Sequence, residues 1–266
     1  MQLCFHLKDM GARQLKQKLW PKDFQNLHRY GRSGDGGYVL PITSFSKSDG
    51  LISFGLNFDW SFERDFAKSH PGAPIHVYDP TVGRARFLRA GCWALLGAIY
   101  SRSEREKFRA CCDYFKFFKP PVLHFRNWIG KGTEALGLVD AISKMPSAKN
   151  VLLKVDIEGS EYEILDEILD FSHRMEVIAI ELHDIDQHES KITEFVDKLK
   201  NTHVVAHLHG NNFAAPCPDG EMPTAIEVVF VRRPPSPVME YEGHLPRAAL
   251  DQPNSRKAPD TIIRRD

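Results

Sequence analysis

The chain has 266 residues, 42% of them hydrophobic, which is enough to bury one sizeable core. Its 35 basic side chains balance 35 acidic ones, so a chain-wide positive field for nucleic acid is excluded, although a local patch is not. Five irregularly spaced cysteines without a CxxC pair give no disulfide scaffold or zinc pattern, and no apolar run is long enough to span a bilayer.

The N-terminus lacks the apolar stretch and cleavage site of a signal peptide, so the expectation is a soluble, cytoplasmic protein. Residues 1–30 read as a helical extension, with Leu15, Leu19 and Phe24 among lysines and Pro21 interrupting. Four glycines between Gly31 and Gly37 then predict sharp turns. From Leu51 onward short apolar runs alternate with amphipathic stretches. Strands are predicted at 51–56, 75–78, 94–100, 122–125, 151–155, 177–182, 203–208 and 226–231. Helices are predicted at 60–69, 103–116, 134–144, 161–169 and 191–200. Strands that are nearly continuous apolar runs, separated by helices, imply a mainly parallel sheet covered on both faces. The last two strands have no helix between them and read as an antiparallel edge pair. Residues 234–266, rich in proline, read as a tail wrapping the surface or partly disordered, and 31–233 as one domain.

A parallel sheet of this kind holds its ligand outside the carboxyl ends of its strands, so the polar residues that end each strand are the candidates. Gly55 permits a tight turn after the first strand, and Asn57 and Asp59 can meet a polar ligand, or Asp59 can cap the next helix. Neither GxGxxG nor GKS/T is present, which disfavours a nicotinamide-dependent oxidoreductase and a P-loop. Asp79 ends the second strand, where a carboxylate can accept both hydroxyls of a ribose or simply close an Asp-Pro turn. Asn127 and Trp128 end a further strand and could flank an adenine.

The run Leu153-Lys154-Val155-Asp156-Ile157-Glu158-Gly159 delivers two carboxylates where a strand gives out. Asp156 is expected to face the reacting centre, while Glu161 and Glu163 suit the start of the following helix. His183 ends the next strand and His209 the one after, followed by Asn211 and Asn212. Asp156, His183 and His209 converging on one crevice would supply a general base near neutral pH or a carboxylate–imidazole metal site. No HxxxH or HExxH spacing favours metal, so a divalent ion such as Mg stays open. With no GxSxG elbow, a nucleoside-type cofactor beside an Asp/His pair suits transfer of a group to a substrate hydroxyl.

The ordered segments GDGGYVL (34–40), ISFGLNFDWSFE (52–63), HVYDP (76–80), LLKVDIEGSEYEIL (152–165), AIELHD (179–184), HLHGNN (207–212) and IEVVFVRR (226–233) resemble the FkbM-type S-adenosylmethionine-dependent methyltransferases. LPRAALDQPN (245–254) resembles the closing segment of a branch sharing the DGGYV element. The resemblance implies an α/β, class I (Rossmann-like) methyltransferase fold: a seven-stranded mostly parallel sheet with one antiparallel strand and helices on both faces. It also implies O-methylation of a sugar or other natural-product hydroxyl. Carried over, Gly55, Asn57 and Asp59 sit at the methionine part of S-adenosylmethionine and Asp79 at its ribose. Asp156 falls near the methyl group, and Asp35, Gly36 and Gly37 form a flap over the same crevice. The loop FGLNFDWSFE is less glycine-rich than the common GxGxG of the class. His183 is the expected base with Asp156 orienting it, while Glu158, His209, Asn211 and Asn212 are expected to meet the acceptor. The competing readings are an inactive methyltransferase-like scaffold and a nucleic-acid enzyme using the basic run from Arg84 to Arg109. Glu104 and Glu106 interleave that run, which reads more simply as a solvated face.

Overall fold

The computed structural model of the protein describes residues 13–97 and 101–265. A helix over residues 13–19 (α1) leads into β1 (Leu27–Tyr30), which pairs antiparallel with β2 (Tyr38–Pro41). There follow α2 (Ile42–Lys47), β3 (Gly50–Phe54), α3 (Ser61–Ser69), β4 (Ile75–Tyr78), α4 (Arg84–Gly97), α5 (Arg102–Phe117) and β5 (Val122–Phe125). Two-residue strands β6 (Trp128–Ile129) and β7 (Ala135–Leu136) precede α6 (Leu138–Ser143), β8 (Val151–Val155), α7 (Glu161–Asp170) and β9 (Met175–Leu182). α8 (Ile185–Leu199), β10 (His203–Gly210) and β11 (Ile226–Arg232) complete the core.

Seven strands form one sheet in the order β10-β11-β9-β8-β3-β4-β5, with β11 alone running against its neighbours. This is the class I methyltransferase arrangement. Alternate residues of each central strand enter opposite faces, as the period of two requires. Ile52, Phe54, Leu153, Val155, Ile178 and Ile180 pack under α6, α7 and α8. Leu51, Leu152, Val177 and Ala179 pack under the β1/β2 hairpin, α2, α3 and α5. With both faces covered, the central strands lack polar alternation, and each buried aliphatic side chain contributes about 1.5–3 kcal/mol.

Several sequence-based expectations need correction. The predicted strand at 94–100 is helical through residue 97, as the end of α4, and its last three residues lie outside those described. A short apolar run does not by itself distinguish a buried strand from a helix. The extension is helical only at 13–19 among the described residues, because 27–30 pairs as β1 with the glycine-rich segment's far end. The helix expected at 134–144 begins at Leu138, after β7 and Gly137. α8 starts at Ile185, six residues before its expected start. β10 is an edge strand but β11 is not, since β11 lies between β10 and β9. The exposed side of β10 is partly covered by the chain after α1, where Lys22 N donates to Val205 O at 2.8 Å.

The segment beyond β11 is tied to the rest of the molecule by specific bonds. Trp20 Nε1 donates to Tyr241 O at 2.8 Å, Leu245 bridges Ile263, and Asn212 Nδ2 donates to Ser255 O at 2.9 Å. Among the described residues no helix is long and apolar enough to cross a membrane.

Candidate active site

Connections from β3 run outward to β4 and β5, whereas those from β8 run the other way to β9. The crevice therefore opens where the carboxyl ends of β3 and β8 part. Gly55, at φ +84°, turns the chain there, and a Cβ on it would overlap the carbonyl oxygen of Asp156. Two buried charges brace this turn. Lys154 Nζ donates to Gly55 O at 3.0 Å and lies 3.8 Å from Glu63 Oε1, which also accepts from Ser53 Oγ at 2.6 Å. Burial alone would lower the Lys154 pKa, but the Glu63 charge outweighs it and holds the ammonium protonated.

Asp79, nearly buried at the end of β4, is the second brace. Its Oδ2 accepts from the amides of Leu56 and Asn57, both at 2.8 Å. Its Oδ1 accepts from Thr81 N and Thr81 Oγ1, both at 2.6 Å. Burial would raise its pKa, but these bonds outweigh it and hold the carboxylate below its ordinary value.

On the far side of the crevice, Asp156, Glu158 and His183 each present a ligating atom within 4.8 Å of the others. His183 Nδ1 donates to Glu161 Oε1 at 3.1 Å, and its Nε2 lies 3.6 Å from Glu158 and 3.7 Å from Glu181. Glu161 is wholly buried and also accepts from Ile157 N and Gly159 N, so one carboxylate shapes the loop and fixes the imidazole. Burial would lower the His183 pKa, yet the Glu161 bond and the charges of Glu181, Glu161 and Asp156 push it up to about 9. Burial pushes Asp156 up to about 6, despite Lys154 and His183. Glu181 is raised well above its ordinary value, first by burial and then by Asp156 and Glu227.

These groups line one cleft of about 680 Å³. Of the residues expected from sequence, Asp35, Gly55, Asn57, Asp79, Asn127, Asp156, Glu158, His183 and Asn211 all line it. Gly36, Gly37, Asp59, His209 and Asn212 do not. Asp59 accepts from Ser61 N at 3.1 Å and pairs with Arg32 at 3.1 Å, so it is occupied at the start of α3 and the glycine-rich loop. Gly36 packs against that Asp59 carboxylate and Gly37 against Arg32, behind the cleft wall.

His209, only 1% exposed, is held between Glu227 (3.1 Å) and Asp260 (3.0 Å), so neither ring nitrogen reaches the cleft. Asn212 bonds Ser255, Ala258 and Pro259 of the C-terminal segment instead of pointing inward. Neither Lys154 nor Glu181 is among the site residues expected from the sequence. Both interrupt apolar strands, and that interruption was the available signal for them.

Residues 143–210 match the methyltransferase FkbM domain family. The matched segment takes in β8, α7, β9, α8 and β10, hence Asp156, Glu158 and His183, and leaves β3 and β4 outside. With this match and its sheet order, the protein is an S-adenosylmethionine-dependent methyltransferase. Among curated proteins none matches the chain. Solved structures similar to this chain include the precorrin-6y C5,15-methyltransferase of Geobacter metallireducens, 12% identical with a TM-score of 0.37, covering 72% of this chain and 85% of that one. A chain from Thermoplasma acidophilum assigned as a methyltransferase is 10% identical with a TM-score of 0.31, covering 72% and 70%. Superpositions this partial carry no weight beside the family match.

Proposed function

We propose that the protein transfers a methyl group from S-adenosylmethionine to a hydroxyl of a sugar or other small-molecule acceptor. The observation that carries this reading is the Asp156–Glu158–His183 cluster, which opens into the same cleft as the Gly55–Asp79 turn. The cofactor fits the cleft in two respects. Its volume lies within the range of cofactor sites, and Asp35, Asp79, Asp156, Glu158 and Glu181 outnumber Arg86 and His183 in the lining. An acid-rich lining suits a ligand carrying an ammonium and a sulfonium better than a pyrophosphate, which also disfavours a nicotinamide dinucleotide. When bound, S-adenosylmethionine supplies an electrophilic methyl group.

The chain's own groups do the rest. Gly55 and Asn57 would flank the amino-acid end of the cofactor, and Asn127, which has no protein hydrogen bond among the described residues, would meet the adenine. The charge balance revises the expected base. His183 carries its proton through neutral pH, so Asp156 takes the acceptor's proton while the His183 imidazolium holds the acceptor oxygen. Glu158, with 85% of its side chain exposed, is free to bind a further acceptor hydroxyl. The same three residues could hold a divalent cation, one oxygen or nitrogen each. A cytoplasmic setting belongs to this proposal, since Cys111, Cys112 and Cys217 are free thiols.

One observation favours a second reading, a scaffold that has lost cofactor binding. Both Asp79 oxygens are already engaged by backbone amides and Thr81, so a ribose would need the Leu56–Asn57 loop to yield. Calorimetric titration with S-adenosylhomocysteine separates the two. Saturable binding at micromolar concentration, followed by transfer of labelled methyl to a polyhydroxyl acceptor, is the expected result. Correctly folded protein that binds nothing would leave only the scaffold.

A further inference from the structure

α4 begins at the rim of the cleft and continues away from it. Phe87 anchors the helix inward by stacking on Tyr114 at 4.1 Å. Its outer surface, however, leaves Leu88 60% and Trp93 76% exposed. Arg84 and Arg89 are exposed on the same helix, and Arg86, Arg89 and Trp93 follow the three-and-four spacing of one stripe. At the helix start Arg86 lines the cleft and lies 4.8 Å over the ring of Phe58, itself 54% exposed. Isolated exposed apolar residues need no explanation, but a Trp and a Leu on one helix among three arginines form a patch of defined chemistry.

The charge pattern says what the patch fits. The whole chain is electrically balanced, yet the fourteen residues of α4 hold three arginines and no acid. From Cys92 to Tyr100 the sequence carries no charged residue. Arginine beside large apolar side chains is the composition of helices that lie in a bilayer interface, apolar groups at the headgroup boundary and cations on phosphates. A bare protein partner would be expected to answer three arginines with carboxylates. An anionic lipid surface answers both the arginines and the indole.

We propose that α4 docks the protein on an anionic membrane surface, so that the cleft beside it takes a hydroxyl from an amphiphilic acceptor held there. Only the second half of that statement rests on the methyltransferase reading. The test is co-sedimentation of the full chain with vesicles of phosphatidylcholine alone and of phosphatidylcholine mixed with phosphatidylglycerol.

Binding is expected to the mixed vesicles only and to weaken with added salt. The double variant Arg84→Gln/Arg89→Gln should lose about fivefold in affinity for each arginine removed. Leu88→Ser/Trp93→Ser should lose at least about tenfold. None of these four residues lines the cleft, so both variants should titrate S-adenosylhomocysteine as the parent does. Failure of that titration in the parent, with vesicle binding intact, would sink the enzyme reading and leave docking standing. Docking is overturned if the parent stays in the supernatant with mixed vesicles at low salt, or if both variants bind them as the parent does. A dimer abolished by Leu88→Ser/Trp93→Ser, in protein that ignores vesicles, would assign the patch to a second copy and overturn it equally.

Discussion

Asp156 holds its proton up to about pH 6 because burial disfavours its charged form, and His183 holds its own up to about pH 9 because the carboxylates of Glu161, Glu181 and Asp156 outweigh its burial. If Asp156 is the base and His183 acts as a cation, transfer needs the first deprotonated and the second protonated. The rate should then rise with pH through about 6 and fall beyond about 9, measured as kcat/KM across that span. Asp156→Asn should cost roughly 10²–10⁴ in rate while leaving S-adenosylhomocysteine binding in place. His183→Ala should remove the alkaline limb. A rate that keeps climbing past pH 9 would return the base to the neutral imidazole. Of these residues the sequence made Asp156, Glu158 and His183 legible, since each follows an apolar strand at the end where ligands bind. It did not reveal their protonation. That depends on Glu161 and Glu181 reaching the same imidazole, and side-chain direction beyond a strand end is not written in its periodicity.

Among the elements, the segment after β11 is the one the sequence described least well. Proline content pointed to a loose wrap, whereas the structure pins this segment on buried polar contacts. His209 meets Asp260, His207 Nε2 lies 2.9 Å from Asp251, and Asn254 donates to Glu227 at 2.7 Å. Burial would lower the His209 pKa, but Asp260 and Glu227 push it up to about 10. A group raised in the folded state adds stability that is complete below its ordinary value near 6.5 and fades as pH climbs through 10. Urea unfolding should therefore show less stability at pH 10 than at pH 6, with His209→Ala flattening that dependence. Removing this imidazole from between two carboxylates should cost about 3–5 kcal/mol at pH 6. An unchanged midpoint would mean that the segment is held by other contacts. Contacts such as Glu227 with Asn254 join residues far apart in sequence, and no local pattern announces them. The β1/β2 hairpin escaped notice for a related reason: its four-residue strands carry only one clear apolar run between them.

At the scale of the whole molecule, the sheet divides at Gly55, where the halves β3-β4-β5 and β8-β9-β11-β10 meet. Alternating apolar runs made the sheet and its helices readable, because buried parallel strands must be continuous in sequence. The single antiparallel strand was implied by the family resemblance, but the order that puts β11 between β9 and β10 was not legible, since periodicity says nothing about neighbours. Gly55→Ala should damage the seam between the halves. Left-handed strain alone costs about 1–3 kcal/mol, and the added methyl would displace the Asp156 carbonyl. Loss of S-adenosylhomocysteine binding is expected. Gly159→Ala, also at positive φ but with open space around it, should bear the strain alone and keep the ligand. Equal binding by both variants would separate the seam from the cofactor.

The place of β11 has a consequence for how the chain is made. β11 lies between β9 and β10, yet it is the last strand of the sheet in the sequence. During synthesis β9 and β10 leave the ribosome with no bond to each other, and both keep an open edge until residues 226–232 follow them. For that interval the nascent chain displays β10 without a partner and β9 with one open edge, the kind of surface that recruits chaperones or neighbouring chains. Closing the sheet is therefore a late, long-range event, and a pause in translation before Ile226 would prolong the stage at which this protein is most exposed to aggregation.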